Sequence, residues 1–234
     1  MYKGHPWEGE TYGAMEYEYY LKRTYELIIG FDVNMKPFID LCKEGDHSSN
    51  QLTMKIAARL STKYLPQYMI ALNGRTYPVR YPAGYVRPVR PGADMLDHIA
   101  VAEDDDRFRE VNIRDQINPY QQWMMKKHPK ISVWFAQHFF GARETKKNYA
   151  LLISRNPLRK LDTPVIILGS HVRTMGMAIP FGEKVCCTFF TPHAFGNTSF
   201  FEPFLFDFKT CMEEPEKIPK DLLNKQYREV PTSE

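Results

Sequence analysis

The sequence predicts one α+β domain, and three observations carry that reading. Strand-like runs come in neighbouring pairs around short turns. Two longer stretches repeat apolar residues at helical spacing on one side only, as helices laid over a sheet do. Across 234 residues there is no internal repeat and no linker that would divide the chain. A hydrophobic share of 43%, with 14% aromatic, supplies apolar surface for one sizeable core. The expected organisation is an N-terminal arm over residues 1–20, one domain over 21–214 and a C-terminal tail over 215–234.

Residues 1–20 are rich in Tyr, Glu and Gly without periodicity and read as a surface arm, with a short helix about Met15–Leu21. Tyr25–Asp32 reads as a strand. Asn34 can cap a helix carrying Phe38, Ile39 and Cys42, which Gly45 ends. A polar loop, Asp46–Asn50, leads into a helix over 51–64, where Leu52, Ile56, Leu60 and Tyr64 recur every four residues and Pro66 stops the run. Tyr68–Leu72 and Thr76–Val79 flank Asn73-Gly74, the strongest short-range hairpin signal. The prolines of 80–94 mark a connection that holds Arg80, Arg87 and Arg90. His98–Ala102 and Phe108–Ile113 form a second strand pair around Glu103–Asp106. A helix follows Asn118-Pro119, breaks at His128-Pro129 and resumes over Ile131–Phe140. Tyr149–Ser154, Pro164–Gly169 and Lys184–Phe190 are further strands. The last helix, Thr198–Glu213, carries Phe201, Phe204, Leu205, Phe208 and Met212 on one face, and the charged segment after it packs in part.

A formal charge of +3 is too small to argue for nucleic acid. There is no signal-peptide pattern, and no apolar run approaches the length that spans a bilayer. Cys42, Cys186, Cys187 and Cys211 fit no zinc or disulfide framework, since two are neighbours that a strand sends to opposite faces. A reduced, cytoplasmic setting is the expectation, with no metal and no membrane contact.

The stretch that carries chemistry is Lys184–Thr198. An apolar run reaches His193, a Gly-Asn turn follows, and a phenylalanine-rich helix comes next. A histidine at the lip of a buried strand can be held rigidly and still meet a substrate as a base. The competing reading is a buried histidine satisfied by hydrogen bonds, and the motif alone leaves both open.

Four segments then stand in a familiar order: Phe31-Asp-Val-Asn34 before a short helix, His98-Ile-Ala-Val-Ala-Glu-Asp104, Leu152-Ile-Ser-Arg-Asn-Pro157, and His193-Ala-Phe-Gly-Asn-Thr198 between the last long strand and the final helix. Over about residues 20–215 the sequence resembles the chloramphenicol acetyltransferase superfamily, which includes the catalytic domain of the dihydrolipoamide acyltransferases. The last segment is similar to the family's HxxxDG signature, with Asn197 in place of aspartate and Thr198 in place of glycine.

The resemblance implies a chloramphenicol acetyltransferase-like two-layer sandwich, a mixed sheet with covering helices. It implies an acyltransferase moving an acyl group from a thioester, of coenzyme A or lipoyl type, to a hydroxyl, amine or thiol of a small-molecule acceptor. His193 would be the general base. Ser154 would donate to the carbonyl oxygen as it gains charge, although a strand-end serine also bonds readily within the following turn. Asn197 would take the place of an architectural aspartate that pairs with an arginine near the first strand, where Arg23 stands. A coenzyme A thioester is implied as co-substrate, and a homotrimer with its site between subunits, alone or in a larger assembly. The two departures from the signature keep a second reading in view, a catalytically silent trimeric structural or assembly component.

Arg75, Arg80, Arg87 and Arg90, interleaved with Tyr77, Tyr81 and Tyr85, could meet phosphates of coenzyme A or nucleic acid. A solvated basic connection is the simpler account, and nucleic acid is disfavoured. Glu103–Asp106 lacks the ligand spacing of a calcium loop, and His128 and His138 suggest no metal geometry.

Overall fold

A computed structural model describes residues 5–6, 26–70, 75–88, 96–104, 107–113, 119–131, 149–156, 166, 175–192, 198–224 and 226–228. In chain order its elements are β1 (His5–Pro6), β2 (Glu26–Asn34), α1 (Lys36–Glu44), α2 (Ser49–Tyr64), β3 (Tyr68–Ile70), β4 (Arg75–Pro78), β5 (Tyr81–Pro88), β6 (Leu96–Asp104), β7 (Arg107–Asn112), α3 (Pro119–Lys127), β8 (Tyr149–Asn156), β9 (Met175–Pro180), β10 (Lys184–Pro192), α4 (Thr198–Glu213), α5 (Lys220–Asn224) and β11 (Gln226–Arg228). Among the described residues, eight strands make one mixed sheet in the order β11-β7-β6-β5-β8-β9-β10-β2, and β1, β4 and β3 make a small separate sheet. The β5–β8, β8–β9 and β7–β11 pairs are parallel, and the other pairs of the large sheet are antiparallel.

The helices of the second layer form where local signals direct. Gly45 receives the C-terminus of α1, its N–H bonding to the Leu41 carbonyl. Asn34 lies one residue before the cap position and accepts from the Lys36 N–H at 3.3 Å. α2 begins two residues earlier than apolar spacing suggests, because the Ser48 side chain caps it by accepting from the Gln51 N–H at 3.4 Å. Phe38 of α1, Leu52 and Ile56 of α2, and Phe201, Phe204 and Phe208 of α4 meet Leu151, Ile153, Met177 and Phe189 of the sheet in one core. Phe189 lies 5.7 Å from Phe201 and 5.9 Å from Phe204 between ring centroids, and each buried ring contributes roughly 1.5–3 kcal/mol.

Two strands depart from expectation. The proline-rich connection expected over 80–94 is in part an interior strand, β5, held between β6 and β8. Proline removes a ladder donor and so argues against a central strand, but Pro82 and Pro88 sit near the two ends of β5, and the Pro82 carbonyl accepts from the Ser61 hydroxyl at 2.7 Å. Gly84 allows close packing there: a Cβ would stand 2.4 Å from the Tyr149 ring and 2.7 Å from the Ile99 carbonyl. The sequence reading did not include β9. All six of its residues are buried, so no polar–apolar alternation marks it. Its Gly176 is where the Phe190 ring crosses, with ring carbons 1.9–2.7 Å from a hypothetical Cβ.

The β3–β4 and β6–β7 pairs and α3 lie where expected. The helix expected about Met15–Leu21, the Asn73-Gly74 turn, and the elements expected over Ile131–Phe140 and Pro164–Gly169 lie outside the described residues, apart from Ile131 and Ile166. Residues 215–224 and 226–228 stay in the packed unit: Ile218 and Leu222 are buried, and β11 adds to the sheet edge beside β7. Arg59 of α2 ties this segment down by bridging Glu103 of β6 and Asp221 of α5. All three side chains are partly exposed, so these pairs add about 0–1 kcal/mol each.

Candidate active site

Side chains alternate faces along β8. Leu151 and Ile153 enter the helix-side core, and the Arg155 head group reaches α2 on that same side. Ser154 therefore belongs to the opposite face, with Leu152, and is half-buried. Tyr81, Ala100, Ala102 and Tyr149 form a second, smaller apolar cluster, with Leu152 packed against it. Burial pushes the Tyr149 phenol well above its ordinary pKa, so it keeps its proton, and its oxygen lies 2.8 Å from His98 Nδ1.

Strand register fixes where Ser154 stands relative to the histidine segment. Ser154 is level with Ala178 of β9, and Ala178 with Thr188 of β10. Pro192, the last residue of β10, lies four residues past Thr188 and is level with Glu26 of β2. Four residues along the strand and two strands across put the Ser154 and Pro192 Cα atoms about 16 Å apart. The next residue in the chain is His193. α4 begins at Thr198, so His193 and Asn197 occupy the connection between the last long strand and the last long helix. Both residues, and Arg23, lie outside the described residues. Within one chain, then, Ser154 and the exit toward His193 are at different levels of the sheet. Thr188, in the Ser154 row, is buried, and its hydroxyl donates to the Ile166 carbonyl.

Three of the other candidates have structural partners. Arg87 faces Glu110 at 3.6 Å, Arg80 stacks over the Tyr81 ring at 5.4 Å, and Glu103 belongs to the Arg59 bridge. Among the described residues no group of His, Cys, Asp or Glu is placed to hold a metal ion, and no helix is long and apolar enough to cross a membrane.

The thiols are not nucleophiles in waiting. Burial raises Cys42 and Cys211 to about 11 and Cys187 to about 12. The unfolded chain releases these protons above about pH 8.5, so their contribution to stability is full below that pH and is lost as pH rises toward the folded values. Denaturant melts between neutral pH and about pH 10 should show this decline, and Cys187→Ala should make it shallower.

No family model matches the sequence, and no curated protein matches it. Solved structures do. A truncated catalytic core of the 2-oxoacid dehydrogenase multienzyme complex from Thermoplasma acidophilum superposes with a TM-score of 0.50 at 11% identity, covering 92% of this chain and 98% of the other. A chloramphenicol acetyltransferase gives 0.48 at 12% identity, over 86% and 95% of the two chains. An Azotobacter vinelandii dihydrolipoamide acetyltransferase, studied for the roles of a serine, a histidine and an asparagine in its mechanism, gives 0.47 at 12% identity, over 88% of each chain. The first likeness establishes the fold, an α+β sandwich with a mixed sheet and covering helices, as the sequence resemblance implies. At such identity it says nothing of chemistry.

Proposed function

We propose that the protein is a thioester-dependent acyltransferase acting as a homotrimer, each active site built between two subunits. His193 takes the proton of a hydroxyl, amine or thiol acceptor as it attacks the acyl carbon, then returns it to the leaving thiolate. Ser154 donates to the carbonyl oxygen as the tetrahedral intermediate forms, a role worth about 3–4 kcal/mol for single donors of this kind. Asn197 steadies the turn by hydrogen bonds without charge. The donor is a thioester of coenzyme A or lipoyl type, and the acceptor is a small molecule.

The observation that supports this reading is the offset of Ser154 from the exit of β10 in a fold shared with a multienzyme-complex catalytic core. Within one chain the end of β10 that leads to His193 stands about 16 Å from Ser154, whereas a rotated second copy can bring its own β10 exit against Ser154. The second reading, a silent trimeric component, is favoured by Asn197 and Thr198 standing where the family signature has Asp and Gly.

Complementation tests the shared site. Ser154→Ala and His193→Ala chains, each inactive, are unfolded and refolded together. Every mixed trimer then holds one intact site, so random mixing should restore about a quarter of wild-type acetyl-CoA turnover. Recovery in the mixture establishes the intersubunit site. Active wild-type protein with no recovery sinks it, and a trimer without turnover on any acceptor favours the silent reading.

A further inference from the structure

Arg155 follows Ser154 on β8 and turns to the helix side of the sheet. Its Nη1 donates to Asn50 Oδ1 at 2.9 Å and to Thr53 Oγ1 at 3.4 Å. The guanidinium lies 4.5 Å from the centroid of the Phe181 ring, and its Nε–H is buried without an acceptor. Among the described residues no carboxylate stands against it. Among the described residues, the ionisable groups close enough to act on it are the thiols of Cys42 and Cys187, which burial keeps protonated. Desolvation pulls the guanidinium pKa down, yet an arginine stays charged in proteins.

A second source of positive potential converges here. Asn50 and Thr53 lie in the first turns of α2, a 16-residue helix with no acid in its first turn. A cation at a helix N-terminus stands against the dipole. A largely buried charge without a counter-ion is itself costly, and such charges are ordinarily paired. If packing were the only need, a methionine would fill the place at no electrostatic cost. Asn50 is exposed, so the cluster is reached from solvent. One kind of ligand relieves both penalties at once.

We propose that Arg155 and Asn50 form a binding site for an oxyanion, a phosphate or carboxylate group carried by a ligand of this protein, with buried Thr53, whose hydroxyl donates to the Ser49 carbonyl, holding the guanidinium in place. The guanidinium supplies charge and donors, and the Asn50 amide turns its N–H₂ toward the anion. This site does not depend on the acyl-transfer reading.

The test titrates wild-type protein with sodium phosphate and, separately, with sodium succinate, ionic strength being held with sodium chloride. Melting temperature and calorimetric binding are read. The expected result is a saturable rise with at least one anion, weakened about tenfold or more in Arg155→Met. A response to phosphate alone assigns a phosphate-bearing ligand, and a response to succinate alone a carboxylate. Asn50→Asp supplies the missing counter-ion from within. It should raise the melting temperature without added anion and abolish the response, and it decides the matter should Arg155→Met fail to fold. No response to either anion, or an equal response in wild type and in these variants, overturns the proposal.

Discussion

His193→Ala is expected to lower acetyl-CoA turnover by about 10²–10⁴-fold, the usual contribution of a positioned base. In the proposed reaction no covalent intermediate forms on the enzyme, so the imidazole is the group that moves the acceptor proton. Its removal leaves binding and orientation intact and takes away only proton transfer. The loss should therefore fall on kcat, with the KM for acetyl-CoA little changed. Free thiol released from acetyl-CoA, followed over a panel of hydroxyl, amine and thiol acceptors, measures it. Melting temperature and solution mass must match wild type for the loss to count as chemical. An unchanged rate in a folded variant removes His193 from the mechanism and leaves the fold alone standing.

Phe189→Ala is expected to cost about 3–5 kcal/mol of stability, the range for a large aromatic deleted from a close-packed core. Phe189 is fully buried on β10 and packs against both Phe201 and Phe204 of α4, so it joins the sheet to the helix that covers it. Phe204 in turn stacks on Phe208 at 6.3 Å, and a cavity at 189 loosens the whole row. A domain's total stability is only about 5–15 kcal/mol, so the variant should sit near the threshold of folding. Urea unfolding followed by circular dichroism measures the change. Phe206 is 68% exposed on the same helix, and its replacement by alanine should move stability by no more than about 0.5 kcal/mol. If the two substitutions cost the same, the core lies elsewhere.

The contrast between these phenylalanines also shows what is legible in a chain. Helical spacing places Phe201, Phe204 and Phe208 on one face of α4, and the structure buries all three. Leu52 and Ile56 of α2 and the β3–β4 and β6–β7 pairs are similarly local, since each depends on residues a few positions apart. β5 and β9 escape this logic. β9 is buried along its whole length and shows no alternation, and β5 carries prolines that read as a break until its neighbours are known. Gly84 and Gly176 each sit within a strand where an aromatic ring crosses, a close approach that no local pattern marks.

The candidate site divides the same way. Ser154 at the end of a strand, and a histidine segment between the last long strand and the last long helix, follow from the linear order of the chain. The distance between Ser154 and the end of β10 does not, because it depends on β9 lying between β8 and β10 and on the register of two ladders. That no carboxylate among the described residues stands against Arg155 is likewise a fact of space. Sequence determined the helices and the locally paired strands, since their backbone conformation follows from neighbours a few positions away. Tertiary structure alone decided which groups face one another, since contacts between distant strands and helices are set by the packing of the whole core.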